Sequence, residues 1–515
     1  MAIREQKTGS VLLIQGLDTS KPEEYLSEQS CVNALNFEVE ASLLKKRKGT
    51  TVLEEVIGGS GLEIMTGRQF EREGVAYNVR VGLDKTEVYD AVNTEWDDIT
   101  KSGTDWTGDT DDIFDTAVPL LTAQPILCIT NGKDAIQKWT ATGLCADLGG
   151  TPPVAKYIQE YKTYLVCANI GGGTDVPQRV QWCDTADPQD WTTGNSGAVD
   201  LIEDGEEISG LNLFSNYICV HKSSSIYIGY LVSSTAIFQF DRRATGVGTC
   251  ANNSIVNLPT GEQIFLAKDG IRIFNGITAP LIDAPINEEI RRSLNTEKAH
   301  KAYGLLVREK DEVWLGVPIG DYEYGDTIYK YNYVTKALYK DNRRNTCSMW
   351  RGDSTNAQAW DDYADAITWD DVDYRWDDIT FSVDNDQINL GTVSGYVEQI
   401  DTGVLTDNGT AIDAIWDSKD FQDSQDSIGR WKQLELWATG ALVNVYYSIN
   451  EGVTWIEMSN SPITLTDQMP LHSSPLMLYF DTIGSKIRIR FRNNRAETLA
   501  IKQFILHYSR VGERF

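Results

Sequence analysis

The chain is predicted to be all-β: a β-propeller-like core with an N-terminal arm, a C-terminal β-sandwich and few short helices. Three observations predict it. Apolar and polar residues alternate with period two, and short strand-like runs are closed by Gly- and Asn-rich turns. Strand groups also return at spacings of roughly forty to fifty residues, the length of a four-stranded blade. Two packed sandwiches would produce similar local patterns, so both architectures stay open. No strict GH…WD repeat is present, and the WD40 subtype is not supported.

Taken in order, residues 1–53 read as an arm with little strand regularity that ends in the basic run Lys45-Lys46-Arg47-Lys48. Residues 54–410 carry the propeller-like repeats. Turn signals recur at Asn131-Gly132, Gly171-Gly172-Gly173, Asp204-Gly205 and Asn408-Gly409. Ile264 to Ala267 and Ile271 to Phe274 flank Lys268-Asp269-Gly270 as a hairpin. One helix is expected from about Pro285 to Leu294, with Ile286, Ile290 and Leu294 on one face and Asp283 as a cap. From about Ala411 to residue 515 the strands lengthen into a sandwich. A second hairpin centres on Asn450-Glu451-Gly452, and Lys486 to Arg492 alternates Ile487, Ile489 and Phe491 against cations as a strand with a solvated basic face balanced by acidic neighbours.

A tryptophan-marked acidic cassette punctuates this pattern at Trp96-Asp97-Asp98 and, densely, at Trp360-Asp361-Asp362, Trp369-Asp370-Asp371 and Trp376-Asp377-Asp378. An indole supplies a large packing anchor, and a following Asp closes a turn on nearby backbone N–H groups. The alternative, an acidic cation site, lacks the ligand spacing of a calcium loop.

At 515 residues the chain is long enough for three or four domains, or one large β architecture with smaller modules. Its 75 acidic and 46 basic side chains leave a formal charge of −29, which argues against tight binding to nucleic acid or anionic membrane. Loose passage of a polyanion past a repelling wall remains compatible with it. The eight cysteines include no CxxC and no zinc spacing, so free and mostly buried thiols are expected. No signal-peptide pattern and no apolar run of bilayer-spanning length is found, so synthesis and folding in a cytoplasm are expected.

Catalytic patterns are missing as well. The four histidines, His221, His300, His472 and His507, accompany neither a GxSxG serine nor an HExxH pattern. Gly171-Gly172-Gly173 lacks the Lys-Ser/Thr of a phosphate loop. Ser448 to Trp455 resembles the Asp-box of sialidase-type propellers with Asn in the Asp place, which marks a fold and carries no catalysis. No enzyme and no cofactor or metal is expected.

Several ordered patches look like one family. Gly16-Leu17-Asp18-Thr19, Asn33, Asn36-Phe37-Glu38-Val39-Glu40 and Leu43-Leu44-Lys45-Lys46-Arg47-Lys48-Gly49-Thr50 resemble the opening of bacteriophage tail nozzle proteins. Ala41-Ser42 stands where that pattern usually has glycine, and Lys46 is one basic residue more than it asks for. Arg179-Val180-Gln181-Trp182 with Asp187 to Trp191, then His221 to Tyr227, Gly246 to Cys250 and Lys268 to Ile271, continue the resemblance in order.

The resemblance implies a virion protein at the tail of a short-tailed phage, assembled in the host cytoplasm as a ring, a hexamer in that family. It would bind the tail adaptor and fibres or spikes and pass genomic DNA without holding it tightly. Lys45, Lys46, Arg47 and Lys48 are the candidate assembly contacts, toward an acidic neighbouring subunit or adaptor. Asp361, Asp362, Asp370, Asp371, Asp377 and Asp378 are the candidate acidic rim, facing either the DNA channel or an attached fibre. The alternatives are a carbohydrate-binding or glycan-hydrolysing propeller, motivated by 14 Trp and 23 Tyr, or another head–tail connector component.

Overall fold

The computed structural model describes residues 5–513 except 9, 14, 19–24, 41, 54–56, 58–61, 91–92, 94, 173–174, 233–236, 283–285, 344, 354–385, 401–402, 423–426, 460 and 466–474. Strands dominate, as expected, and seven antiparallel meanders follow one another along the chain. Blade 1 comprises Ile64–Arg72, Val75–Gly82, Thr86–Asp90 and Glu95–Asp98, and blade 2 comprises Asp115–Ala117, Leu127–Thr130, Gln137–Trp139 and Ala146–Asp147. Blade 3 comprises Val154–Tyr161, Tyr164–Gly171, Val176–Trp182 and Gly197–Asp200, and blade 4 comprises Ile208–Phe214, Tyr217–Lys222, Ser225–Leu231 and Phe238–Thr245. Blade 5 has three strands, Val256–Asn257, Gln263–Ala267 and Gly270–Phe274, with a bridge from Arg272 to Leu281 where a fourth would lie. Blade 6 is Tyr303–Val307, Glu312–Val317, Thr327–Asn332 and Leu338–Asn342.

Blade 7 joins the two ends of the ring. Thr346–Asp353, Asp386–Thr392 and Val397–Ile400 are completed by Thr50–Leu53, contributed from the N-terminal side of blade 1. Its first strand packs on the first two strands of blade 1: Ser348 Oγ donates to the Ile64 carbonyl at 2.7 Å, and Trp350 Nε1 donates to Asn78 Oδ1 at 2.8 Å. Ile57, Ile64, Trp96, Trp350 and Val397 form one apolar cluster across this seam. Sequential meanders whose last sheet returns to the first make a closed seven-bladed propeller, which removes the exposed sheet edges that invite aggregation.

Gly67 sits in the seam, and a Cβ there would lie 2.2 Å from Trp350 Cε2. Gly67→Ala is therefore expected to push the indole out of place and cost about 1–3 kcal/mol. Chemical denaturation checks this, and an unchanged midpoint would show that the seam yields freely.

The arm is more ordered than its sequence pattern implies, because its strands are completed by distant ones. Gly16–Leu17 and Ser30–Leu35 extend the blade 6 sheet from Leu338–Asn342, and Ala414–Ser418, Arg488–Asn493, Leu442–Ser448 and Ile456–Glu457 continue it. Facing it is a second sheet, Leu476–Gly484, Ser427–Gly440, Leu499–Glu513, Leu43–Lys46 and Phe37–Glu40, whose third strand also pairs with Glu5–Lys7 and Val11–Leu12. Phe37, Trp416, Trp431, Phe491 and Phe504 are buried between the layers. The sheets are therefore not divided at residues 53 and 410: the described strands from Glu5–Lys7 to Leu43–Lys46 belong to the sandwich, Thr50–Leu53 belongs to the propeller, and blade 6 is shared by both.

The local expectations are refined in the same way. The helix is Asn287–Ser293, with Ile286 and Ile290 buried, while Asp283 lies outside the described residues. Asn287 braces blade 5 by accepting from the Ile271 N–H at 2.9 Å and donating to the Ile282 carbonyl at 2.8 Å. In the Arg488–Asn493 strand the apolar side chains point inward as expected. The cations are neutralised one by one, Arg488 by Asp420 at 2.8 Å, Arg490 by Asp417 at 2.6 Å and Arg492 by Asp413 at 2.7 Å, and Arg488 is buried, where a solvated face was expected.

Candidate functional site

The first strands of the blades line the propeller axis and enclose a cavity of about 360 Å³. Blades 1 to 4, 6 and 7 contribute through Arg68, Asp115, Gln159, Asn212, Leu305 and Trp350 among others, and Asn253 comes from the Asn252–Ser254 turn that leads into blade 5. Asp115 ties several blades together. Its Oδ2 accepts from the Ile158 N–H at 3.0 Å and from Asn252 Nδ2 at 3.4 Å, while Asn252 Oδ1 accepts from the Leu211 N–H at 2.9 Å. One carboxylate and one amide thus connect blades 2, 3 and 4 with the Asn252–Ser254 turn that leads into blade 5. On the other side Arg351 donates to the Leu306 carbonyl at 3.1 Å and pairs with Glu309 at 2.9 Å, joining blade 7 to blade 6.

Packing around Asp115 disfavours its ionised form and pushes it up to about 7, against the opposing backbone N–H bonds from Ile158 and Thr116. His221, buried in blade 4 with its Nε2 2.7 Å from Gln263 Oε1, is pushed down to about 4, because burial disfavours the imidazolium more than the Gln263 contact favours it. The two shifts act oppositely on stability. For His221 the unfolded chain binds more protons between about 4 and 6.5, so its contribution is complete above 6.5 and is lost as pH falls toward 4. For Asp115 the folded chain binds more protons between 3.8 and about 7, so its contribution is complete below 3.8 and is lost as pH rises through 7. Asp115→Asn removes the second slope. Between pH 4.5 and 7.5 the variant is expected to gain on the parent by about 3 kcal/mol, read from denaturation midpoints; a pH-independent difference would contradict it.

The four side chains of the basic run differ in burial. Lys46 points inward from Leu43–Lys46, donating to Asn493 Oδ1 at 2.8 Å and to the Arg495 carbonyl, and burial together with the Arg47 charge pushes its amine down to about 8. Arg47 is 1% exposed and enters the junction of arm, blade 6 and blade 7. It grips Asp407 with two nitrogens, the nearer pair at 2.5 Å, and reaches Asn36 Oδ1 at 2.9 Å. Lys46 and Arg47 are therefore bound within their own chain. Lys48 is exposed, and Lys45 is partly so, 2.9 Å from Glu40.

Behind Arg47 lies a compact ion cluster. Asp341 is fully buried, with Lys330 at 2.7 Å, Arg343 at 3.6 Å and Arg47 at 3.7 Å. Burial alone would push Asp341 up, yet the three cations together outweigh it and hold the carboxyl at about 2. Lys330 also reaches Glu38 of the arm at 3.4 Å and lies 4.1 Å from the centre of the Trp314 ring.

The acidic rim residues Asp361, Asp362, Asp370, Asp371, Asp377 and Asp378 lie outside the described residues. Their segment joins the first two strands of blade 7, where Asp353 and Asp386 are register partners. The described copy of the cassette behaves as packing and turn chemistry: Trp96 is buried beneath the Arg80 guanidinium at 4.1 Å, and Asp98 accepts from the Thr100 N–H at 2.7 Å. Of the cysteines, all but Cys250 are buried, and none is bonded to another. Among the described residues no group of three or more His, Cys, Asp or Glu side chains is placed to hold a metal ion, and no helix is long and apolar enough to cross a membrane.

Asp115, Asn252 and Asp341 carry no sequence motif. They stand out only once distant segments are brought together.

These observations define the chain as a seven-bladed β-propeller with a β-sandwich built onto blade 6. No family model matches the sequence, and no curated protein matches it. Among solved structures it is similar to the crystal structure of BamB from Moraxella catarrhalis, at 9% identity and a TM-score of 0.35, covering 69% of this chain and 99% of that one. The propeller assignment rests on the sheet order described above.

Proposed function

We propose that the chain is a structural virion protein that forms the nozzle ring of a short-tailed bacteriophage tail, a conduit for the genome and a platform for the tail adaptor and fibres. The observation that carries this reading is where the family-like residues of the arm fall. Gly16 adopts φ +77°, and a Cβ there would lie 2.5 Å from the Leu338 carbonyl. Asn36 adopts φ 58° and binds Arg47, Asp413 and Asn342. A Cβ at Gly49 would lie 2.0 Å from the Thr406 carbonyl. Matches concentrated at positions under such constraint support a shared architecture, since chance matches fall on exposed positions as readily.

The charge of −29 supports a conduit role, because ring closure multiplies it around a lumen that repels phosphate. The propeller axis is not that lumen. Its cavity of about 360 Å³ holds on the order of ten waters, whereas the major groove of duplex DNA alone is about 12 Å wide. The conduit in this reading is enclosed by several copies.

Light scattering and electron cryomicroscopy of the purified chain, alone and with adaptor, are expected to find closed rings with a duplex-wide lumen. Virion tail tips are expected to contain the protein, and duplex DNA should not be retained at about 150 mM salt. A persistent monomer together with tail tips lacking the protein would overturn the reading.

A further inference from the structure

The axial cavity holds polar capacity that the fold leaves unused. The Gln69 side chain makes no hydrogen bond among the described residues, although it lines the cavity. Among the described residues Gln159 uses only its Nε2, on the Glu160 carbonyl at 3.1 Å, which leaves its Oε1 over. Among them Asn253 uses only its Oδ1, accepting from Asn252 Nδ2 at 3.1 Å, which leaves its Nδ2 over. These amides come from blade 1, blade 3 and the turn between blades 4 and 5, and converge on one space.

We propose that the axial cavity is a binding site for one neutral polyhydroxylated molecule of monosaccharide size, held by Gln69, Gln159, Asn253 and Asp115. A hydroxyl both donates and accepts, as a side-chain amide does, so neighbouring hydroxyls on a ring can satisfy amides of either orientation. The volume of about 360 Å³ lies at the lower end of the range for small-molecule sites, about 300–1,000 Å³.

The charges present disfavour ionic ligands. Arg68 is paired with Glu160 at 3.5 Å and Arg351 with Glu309 at 2.9 Å, which blunts attraction for an anion. Asp115 already accepts two N–H groups through Oδ2, and its raised proton affinity weakens any hold on a cation. The indole of Trp350 and the side chain of Leu305 supply apolar wall for the carbon skeleton of a ring. The site is complete within one chain and does not depend on ring assembly.

Saturation-transfer NMR on the full chain tests this with glucose, galactose, mannose and N-acetylglucosamine, each at about 5 mM, the regime of weak single-site binding. Inorganic phosphate and calcium serve as charged probes by calorimetry. At least one monosaccharide is expected to receive saturation, with affinity at least tenfold lower in the Gln159→Leu/Asn253→Leu double variant. Gln69→Leu alone, which removes no bond from the fold, is expected to lower it at least threefold. The absence of any monosaccharide signal, a signal unchanged in Gln69→Leu, or tighter binding of phosphate or calcium than of any sugar would overturn the assignment.

Discussion

Arg47→Ala is expected to destabilise the folded chain by about 3–5 kcal/mol, because removing one partner from a buried ionic cluster leaves the other charges desolvated and uncompensated. The side chain is 1% exposed, holds Asp407 and Asn36, and is one of three cations that keep the buried Asp341 ionised. The loss should appear first as faster amide exchange in Leu43–Lys46 and Thr50–Leu53, the strands on either side of it. Arg47→Lys keeps a charge but cannot fork onto a carboxylate, so it should fall in between. Lys45→Ala, two residues away on a partly exposed pair, is expected to change stability by only about 0–1 kcal/mol. Equal denaturation midpoints for Arg47→Ala and Lys45→Ala would show that the cluster carries no such weight. The cluster also predicts acid sensitivity: the Asp341 contribution is complete above its ordinary value of 3.8 and is lost as pH falls toward 2.

Trp350→Ala is expected to cost about 3–5 kcal/mol, the usual range for emptying a buried indole site. Trp350 is 4% exposed and lies in the seam where blade 7 meets blade 1. Its removal also strands the buried Asn78 carbonyl oxygen that accepts from Nε1 at 2.8 Å. Ring closure gives this site its leverage, since a gap here exposes the flanks of Ile64–Arg72 and Thr346–Asp353 together. Hydrogen exchange should therefore rise in both strands at once, while Ser427–Gly440 in the sandwich keeps its protection. Trp350→Phe retains most of the volume and loses the hydrogen bond, so a smaller loss of about 1–2 kcal/mol is expected. If exchange rises uniformly across propeller and sandwich, the seam is not a separate unit of stability.

Much of the local structure was legible in the chain. The hairpin at Lys268-Asp269-Gly270, the inward Ile487, Ile489 and Phe491, and the buried cysteines all follow from periodicity, turn chemistry and composition, which act within a few residues. Arm strands were harder to read. Gly16–Leu17 and Ser30–Leu35 are short and gain their partners from Leu338–Asn342 and Ala414–Ser418, so no local pattern announces them.

The candidate sites divide along the same line. The basic run was conspicuous as charge, yet which of its members are buried is set by distant partners: Lys46 and Arg47 are buried against Asn493 and Asp407, while Lys48 is exposed. Arg47 finds its bidentate partner Asp407 360 residues away. Gln69, Gln159 and Asn253 are ordinary polar residues in two blades and an inter-blade turn, and only closure of the ring brings them to one cavity.

By itself, the sequence determined an all-β chain with repeating strand groups and a strongly acidic surface, since alternation, turns and charge are local or additive properties. The tertiary structure decided how many blades close, which strand of the arm completes the seventh, and which charges are buried. Those outcomes depend on pairing between segments hundreds of residues apart, where the free energy comes from shared burial and register and not from any single stretch of chain.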